Sequence, residues 1–525
     1  MPLLFRHGRS AAPRSEPVLL PDGPGAGSGR GGHLAAAGGG NGVFAVAGPG
    51  AVAALAVWPL LAVVVAKSAL NLAFAGRYGW QRDELYYAVA GRHLQGGYVD
   101  FQPVTALFSA AARVLFGWSL IGFRSFAVLA GAATVVLAAL VARELGGGGG
   151  AQLIAAAAVA FSPRLLSANG LFQPVSFDLA ATMLVLWLAL RLALGRGSWP
   201  ALGVAAGVGL ETKYTLSVVL VLLLAGFAAW RRDVLATRGF LFAVLIAGAL
   251  MVPNLVWEAG HGWISVHWFL HQPPSATGET RLQYLNNVLQ QLPYGVVVVA
   301  VLGAVMLWRD RRLRPLGLTV VGVPVAWFLL GGKSYYPGPV LLFAVAAGAV
   351  PLTRWATRRW RLVAVGVLGA GLAATFPLWL PGALPVLPLH TAIQQGVVSG
   401  RTDYQDELGW PALAAQVGRL AGGADVVVTS NYGEAGALEL FGRGLPPIAS
   451  THETFRYWRP PVAGRRAILV GFPEGKASGF CRGYTLLGRI EMPTANFERG
   501  LPIAGCTLDS SLTAEWPQIL RATGP

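Results

Sequence analysis

Asp83 and Glu84 stand side by side in "QRDELYY" (81–87), at the end of a long apolar run. Two isolated lysines occur much later, Lys213 in "GLETKYT" (209–215) and Lys333 in "GGKSYYPGP" (331–339). A positioned carboxylate can take the proton of an attacking hydroxyl, and cations can hold the charge of a departing phosphate ester. Such a leaving group needs no general acid, so one carboxylate and two or three cations suffice, whereas a glycosidase usually needs two carboxylates. The chain offers Asp83 or Glu84 as base, with Lys213, Lys333 and Arg124 for phosphate. The plainer alternatives are an ion pair of the acidic dipeptide with Arg82 or Arg92, and lysines that snorkel to a membrane interface.

The elements that carry these groups are written in the composition. Of 525 residues, 54% are hydrophobic and only 12% charged, about half the charged share of a soluble protein. Apolar stretches recur through residue 380 at lengths that suit membrane spans. Spans are expected at roughly 44–75, 105–141, 151–168, 176–194, 201–212, 214–230, 240–257, 288–308, 315–331, 335–352 and 362–380. The second is too long for one crossing and is expected to begin as a helix lying on the outer surface. Arginines cluster in alternate gaps (Arg191 and Arg196; Arg231, Arg232 and Arg238; Arg309, Arg311, Arg312 and Arg314), which is the positive-inside pattern. The net charge of +16 therefore reports topology rather than nucleic-acid binding, and beyond residue 400 the charges balance. Eleven crossings place the N-terminus in the cytoplasm and residues 381–525 outside a plasma membrane. The Gly-rich, basic residues 1–42 read as a disordered cytoplasmic tail, with no cleavable signal peptide, and 43–380 as the membrane domain.

On that threading, Asp83, Glu84, Lys213 and Lys333 all face the outer side, and both lysines run against the sign preference of their loops. An ionisable residue at membrane depth is a functional candidate by default. Tyr86, Tyr87, Tyr335 and Tyr336 could stack on a sugar or form an interfacial belt. His93, His261, His267 and His271 also lie on the outer side, with His271 the one taken as a substrate contact. No tight ligand spacing joins them to Glu84, so no cofactor is expected, although a divalent metal stays open. The "GGGGG" run at 146–150 lacks the strand and Lys-Ser/Thr of a phosphate loop and reads as a turn.

Residues 381–525 change character. "DELGWPALAAQVGRLAGG" and "EAGALELFG" read as helices, "ADVVVTS" and "RAILVGF" as buried strands, which makes a small α/β domain. Cys481 and Cys506, each beside a strand-like segment, are expected to form a disulfide on the oxidising side.

"RDELYYAVAGRHLQGGYVDFQP" after the first span, "FRSFAVLAG" in the second, "LETKYT" and "KSYY.P" together resemble the family 39 glycosyltransferases. That group includes protein O-mannosyltransferases and relatives of the aminoarabinose transferase of lipid A. "TSNYGEAGALELFG" and "LPIAGC" resemble the tail of many actinobacterial members. The resemblance covers roughly residues 50–525. It implies a mainly α, polytopic C-type glycosyltransferase fold, a polyprenyl-phosphate sugar donor, an envelope acceptor, and transfer with inversion at the outer face. It implies Asp83 as base with Glu84 beside it, and Lys213, Lys333 and Arg124 on the phosphate side. In the first loop Asp100-Phe101-Gln102-Pro103 stands where the lipid A branch has Glu-Lys-Pro-Pro, which argues against a lipid A-like acceptor and makes Asp100 a substrate-contact candidate.

Two other functions share these features. A transporter also breaks helices around charges, but the chain shows no internal repeat and groups its charges at one face. An envelope scaffold would present 381–525 without chemistry. A transporter moves solute across vesicles, a transferase consumes lipid-linked sugar, and a scaffold does neither.

Overall fold

The first apolar run folds as α1 (Val57–Phe74), and the chain then turns at Tyr78 and Gly79, both with positive φ, into the short helix α2 (Arg82–Ala90). The structure is a computed structural model that describes residues 43–44, 53–270, 279–355, 358–494 and 496–523. The leader 1–42 and His271 lie outside the described residues. Pro103 at the first helical position starts α3 (Pro103–Phe116), and Ser119 caps α4 (Leu120–Glu144). The long second stretch is thus two helices, as its length requires. There follow α5 (Gly149–Ala160), α6 (Pro163–Ala168), α7 (Pro174–Ala193), α8 (Trp199–Leu210) and α9 (Leu216–Trp230). Further apolar helices run over Arg238–Gly260, Tyr294–Arg309, Arg314–Leu330 and Gly338–Trp355.

Five helices among the described residues are long and apolar enough to cross a membrane: α1, α4, α7, Arg238–Gly260 and Gly338–Trp355. A sixth candidate is a pair of helices bent by 94°. The eleven expected crossings exceed this because several apolar stretches break early. The expected span 151–168 divides where the Ser162 hydroxyl caps α6 and Pro163 enters it. The 12-residue α8 is only about 18 Å long at 1.5 Å per residue, short of the ~30 Å hydrocarbon core.

Beyond residue 400 the alternating pattern folds as a five-stranded sheet of β1 (Val426–Thr429), β2 (Ile448–Ser450), β3 (Arg466–Val470), β4 (Cys481–Arg489) and β5 (Pro502–Leu508), in the order β2-β1-β3-β5-β4. β1 lies parallel to β2 and β3, while β5 is antiparallel to β3 and β4. Strand side chains alternate between faces. Val427, Ile468 and Ile503 join one core with Trp410, Leu413 and Leu438, and Val426, Val428 and Leu469 join another with Leu512, Trp516 and Ile519. The sulfurs of Cys481 and Cys506 are bonded, with their Cα atoms 6.0 Å apart.

The first of these cores also contains Leu85, Tyr86 and Val89 of α2. Residues 42–525 accordingly form one compact unit. Helix Tyr432–Phe441 seats directly on α2. A Cβ at Gly436 would lie 2.9 Å from the backbone of Leu85, and one at Gly433 would overlap the Arg82 side chain.

Candidate active site

Gln81 ends an extended stretch and caps α2. Its side-chain oxygen accepts from the Asp83 N–H at 2.7 Å, and Glu84 Oε2 accepts from the Gln81 N–H at 2.9 Å. This reciprocal cap fixes the first turn, and neighbouring helical residues point about 100° apart. The two acids therefore part company. Asp83 lines an open cavity of about 500 Å³, whereas Glu84 turns inward and is fully buried.

Lys213 and Lys333 line the same cavity as Asp83, together with Tyr87, Asp100, Tyr335 and Tyr336. Both ammonium groups gather at one aromatic ring. The Lys213 Nζ lies 5.8 Å and the Lys333 Nζ 5.9 Å from the ring centre of Tyr335, and Arg164 approaches that ring at 5.0 Å. Burial lowers the Lys213 pKa to about 8; Asp178 pulls it back up, and Lys333 and Arg164 press it further down. Burial pushes the Asp100 carboxyl well above the usual range, the charge of Glu453 adds to this, and the Tyr86 hydroxyl opposes it. The wall is completed by apolar Val218, Val266, Leu270 and Leu330. Leu270 and Leu330 are each 69% exposed on the protein surface, so the cavity opens beside residues suited to lipid tails.

Three expected site residues do other work. Glu84 is clamped by Arg124, whose Nε donates to Oε1 at 2.9 Å and whose Nη2 donates to Oε2 at 2.8 Å, and the Phe172 N–H also donates to Oε1. Arg124, expected to bind phosphate, spends its remaining donors on the carbonyls of Ala75 and Gly79 and on Glu407. A guanidinium 1% exposed and turned toward Glu84, Glu407 and two backbone carbonyls does not reach the cavity, whose lining it does not join. Tyr86, expected as a sugar-stacking surface, is fully buried. Its hydroxyl donates to Asp100 Oδ1 at 2.8 Å, accepts from the Thr454 N–H at 3.1 Å and sits 2.6 Å from Thr454 Oγ1.

The site also contains residues that the sequence did not single out. Tyr432 and Glu453, both from the C-terminal region, line the cavity, and the Tyr432 hydroxyl donates to Asp83 Oδ1 at 2.7 Å. Asp178 sits behind Lys213 and accepts from Thr182 Oγ1 at 3.2 Å and Thr215 Oγ1 at 3.4 Å. Asp178 did carry a readable signal, a lone carboxylate inside an apolar run. Tyr432 carried none, because no local periodicity ties it to α2. Among the described residues no group of three or more His, Cys, Asp or Glu gathers to hold a metal ion.

The dolichyl-phosphate-mannose-protein mannosyltransferase family matches residues 100–257. An undecaprenyl phosphate-α-4-amino-4-deoxy-L-arabinose arabinosyl transferase of Pseudomonas fluorescens is 28% identical over 61% of this chain and 65% of its own length. The chain thus spans just under two thirds of that relative, and 46% of a second one from the same species at 25% identity. In structure, ArnT from Cupriavidus metallidurans bound to undecaprenyl phosphate aligns over 86% of this chain and 98% of its own, at 15% identity and a TM-score of 0.56. The chain thus shares the fold of ArnT and, over residues 100–257, the sequence pattern of the mannosyltransferase family. The mycobacterial arabinofuranosyltransferase AftD shares the architecture more loosely, over 87% of this chain and 40% of its own, at 14% identity and a TM-score of 0.52. Five apolar helices of spanning length among the described residues and this likeness of fold mark the chain as a multi-pass membrane protein. The first turn of α2, the turns 211–215 and 331–337, and the C-terminal region all meet at one cavity.

Proposed function

We propose that the protein transfers a sugar from a polyprenyl-phosphate donor to a hydroxyl of an envelope acceptor, at the extracytoplasmic face of the plasma membrane. One observation carries this reading: Asp83 and the two lysines share a single cavity whose edge reaches exposed apolar residues. The relatives named for undecaprenyl-phosphate-linked sugar transfer support the donor class. In the reaction, an acceptor oxygen attacks the anomeric carbon from the face opposite the phosphate, and its proton passes to the Asp83 carboxylate. The bond between the anomeric carbon and the phosphate oxygen breaks, and its electron pair stays on that oxygen. The product polyprenyl phosphate gains negative charge, which Lys213 and Lys333 stabilise. The sugar's configuration is inverted.

Tyr87, Asp100, Tyr335 and Tyr336 form the sugar-contacting wall in this reading. Glu84 and Arg124 hold α2 in place rather than touch substrate. Eleven crossings, a cytoplasmic N-terminus and an outer 381–525 region remain part of the proposal, with the short helices accommodated by local thinning of the bilayer and by their flanking turns. No step requires a metal or another cofactor. The test uses membranes from a deletion strain carrying the chain or an empty vector, with radiolabelled polyprenyl-phosphate sugars formed in place. Label should leave the solvent-extractable lipid pool for the envelope fraction only when the chain is present, and mass spectrometry should find one envelope glycan missing in the deletion strain. Unchanged label distribution would overturn the proposal.

A further inference from the structure

Tyr432 has a place in the cavity that the catalytic scheme above does not use. Its hydroxyl donates to Asp83 Oδ1 at 2.7 Å, although the two residues are brought together from opposite parts of the chain. The ring is held on both faces, stacked 4.9 Å from Tyr86 at 27° and 5.1 Å from His452 at 9°. The Arg82 guanidinium lies 5.3 Å from the same ring centre. A phenol gripped in this way has little freedom to swing its hydroxyl away from the carboxylate. Burial raises the Tyr432 pKa well above its ordinary value, and the charge of Asp83 adds to the rise while Arg82 opposes it. The hydroxyl therefore stays protonated and acts as a donor, not as a base.

We infer that Tyr432 is a positioning residue for Asp83, and that the C-terminal region thereby supplies part of the active site. This rests on the reading of Asp83 as base. The hydrogen bond occupies Oδ1, which leaves Oδ2 as the oxygen free to receive the acceptor's proton. The charged and titratable groups that act on Asp83 are Arg82, Tyr87, Asp100, Tyr335, Asp406 and Tyr432. Of these, Tyr432 is the one whose side chain donates to it at hydrogen-bonding distance among the described residues.

The experiment follows label transfer against donor concentration in deletion-strain membranes carrying the full chain, Tyr432→Phe, Asp83→Asn, or both substitutions. Tyr432→Phe keeps the ring and its stacking, so the protein should fold and insert normally, which its unfolding temperature in detergent checks. The maximal rate of transfer should fall about tenfold while the donor concentration for half-maximal rate stays unchanged, because the lysines proposed to hold the phosphate are untouched. In the Asp83→Asn background, Tyr432→Phe should cost nothing more, because its effect passes through a carboxylate that is no longer there. An unchanged maximal rate, a raised donor requirement, or an equal further loss in the double variant overturns the positioning role and makes Tyr432 a contact for substrate or for the fold. If Asp83→Asn alone keeps normal turnover, the base assignment itself fails, a separate and recognisable outcome. If Tyr432→Phe lowers the unfolding temperature sharply, Tyr432→Trp, which restores a large ring without the phenol, decides between packing and positioning. Recovery of transfer in that variant rejects positioning.

Discussion

Glu407 reaches the same Nη2 of Arg124 as Glu84, at 3.3 Å against 2.8 Å, and neither carboxylate is more than 1% exposed at its side chain. One guanidinium cannot neutralise two buried carboxylates. Burial, offset by Arg124 and reinforced by the charge of Glu84, raises the Glu407 pKa to about 8.

The folded protein therefore holds a proton on Glu407 that the unfolded chain releases at an ordinary value of about 4.3. Protein stability should fall as pH rises between those two values, because the folded state binds more protons there. Glu407→Gln, which is neutral at every pH, should flatten that slope. Glu84→Gln should instead destabilise throughout, by about 3–5 kcal/mol, since it leaves Arg124 short of its bidentate partner. Unfolding temperatures in detergent across this pH range check both. Parallel slopes for the parent and Glu407→Gln would remove Glu407 as the protonated member.

For the base, Asp83→Asn should cut transfer by about 10²–10⁴-fold. The amide can still accept from Tyr432, so expression and membrane insertion should be unaffected. Label transfer in the deletion-strain membranes is the measurement, and near-normal rates would reject Asp83.

The lysines make a prediction with a pH sign. Lys213 is charged below about 8 and neutral above it, so donor use should weaken as pH rises through that value. Lys213→Arg keeps its charge and should carry partial activity beyond the parent's alkaline limit, with imperfect rescue because a planar fork replaces a point charge. Lys213→Ala and Lys333→Ala should each raise the donor concentration needed for half-maximal rate. Unaltered donor kinetics in both alanine variants would make the lysines interfacial anchors.

The pair Cys481–Cys506 closes a loop with a sequence separation of 25, worth about 3–4 kcal/mol on the chain-entropy model. Thiol labelling of unreduced, denatured protein should find no free cysteine, and reduction should release two. Two free thiols before reduction would break the link between this bond and an oxidising compartment.

Local chemistry was readable where one short segment decides it. Asp83 at the start of "RDELYY", the lysines in their two turns and the strand runs "ADVVVTS" and "RAILVGF" all appear close to where sequence reasoning puts them. What failed was orientation. Nothing in "DE" says which acid faces the cavity; the Gln81 cap and the pull of Arg124 decide it. The roles expected of Arg124 and Tyr86 failed likewise, because burial against Glu407 and Thr454 is a long-range outcome. Hydropathy also did not foresee the break at Ser162 and Pro163, where one apolar stretch becomes two helices.

The close seating of Gly433 and Gly436 on α2 has a bearing on how such proteins can be recombined. A chimera that trades everything after residue 400 for the tail of a distant relative would set a foreign helix against Arg82 and Leu85. A Cβ at the first of those glycine positions would meet the Arg82 side chain and one at the second the Leu85 backbone, displacing the start of α2. The exchangeable part is therefore not the C-terminal region alone but that region with α2 attached, two pieces far apart in the gene that must be inherited as a pair.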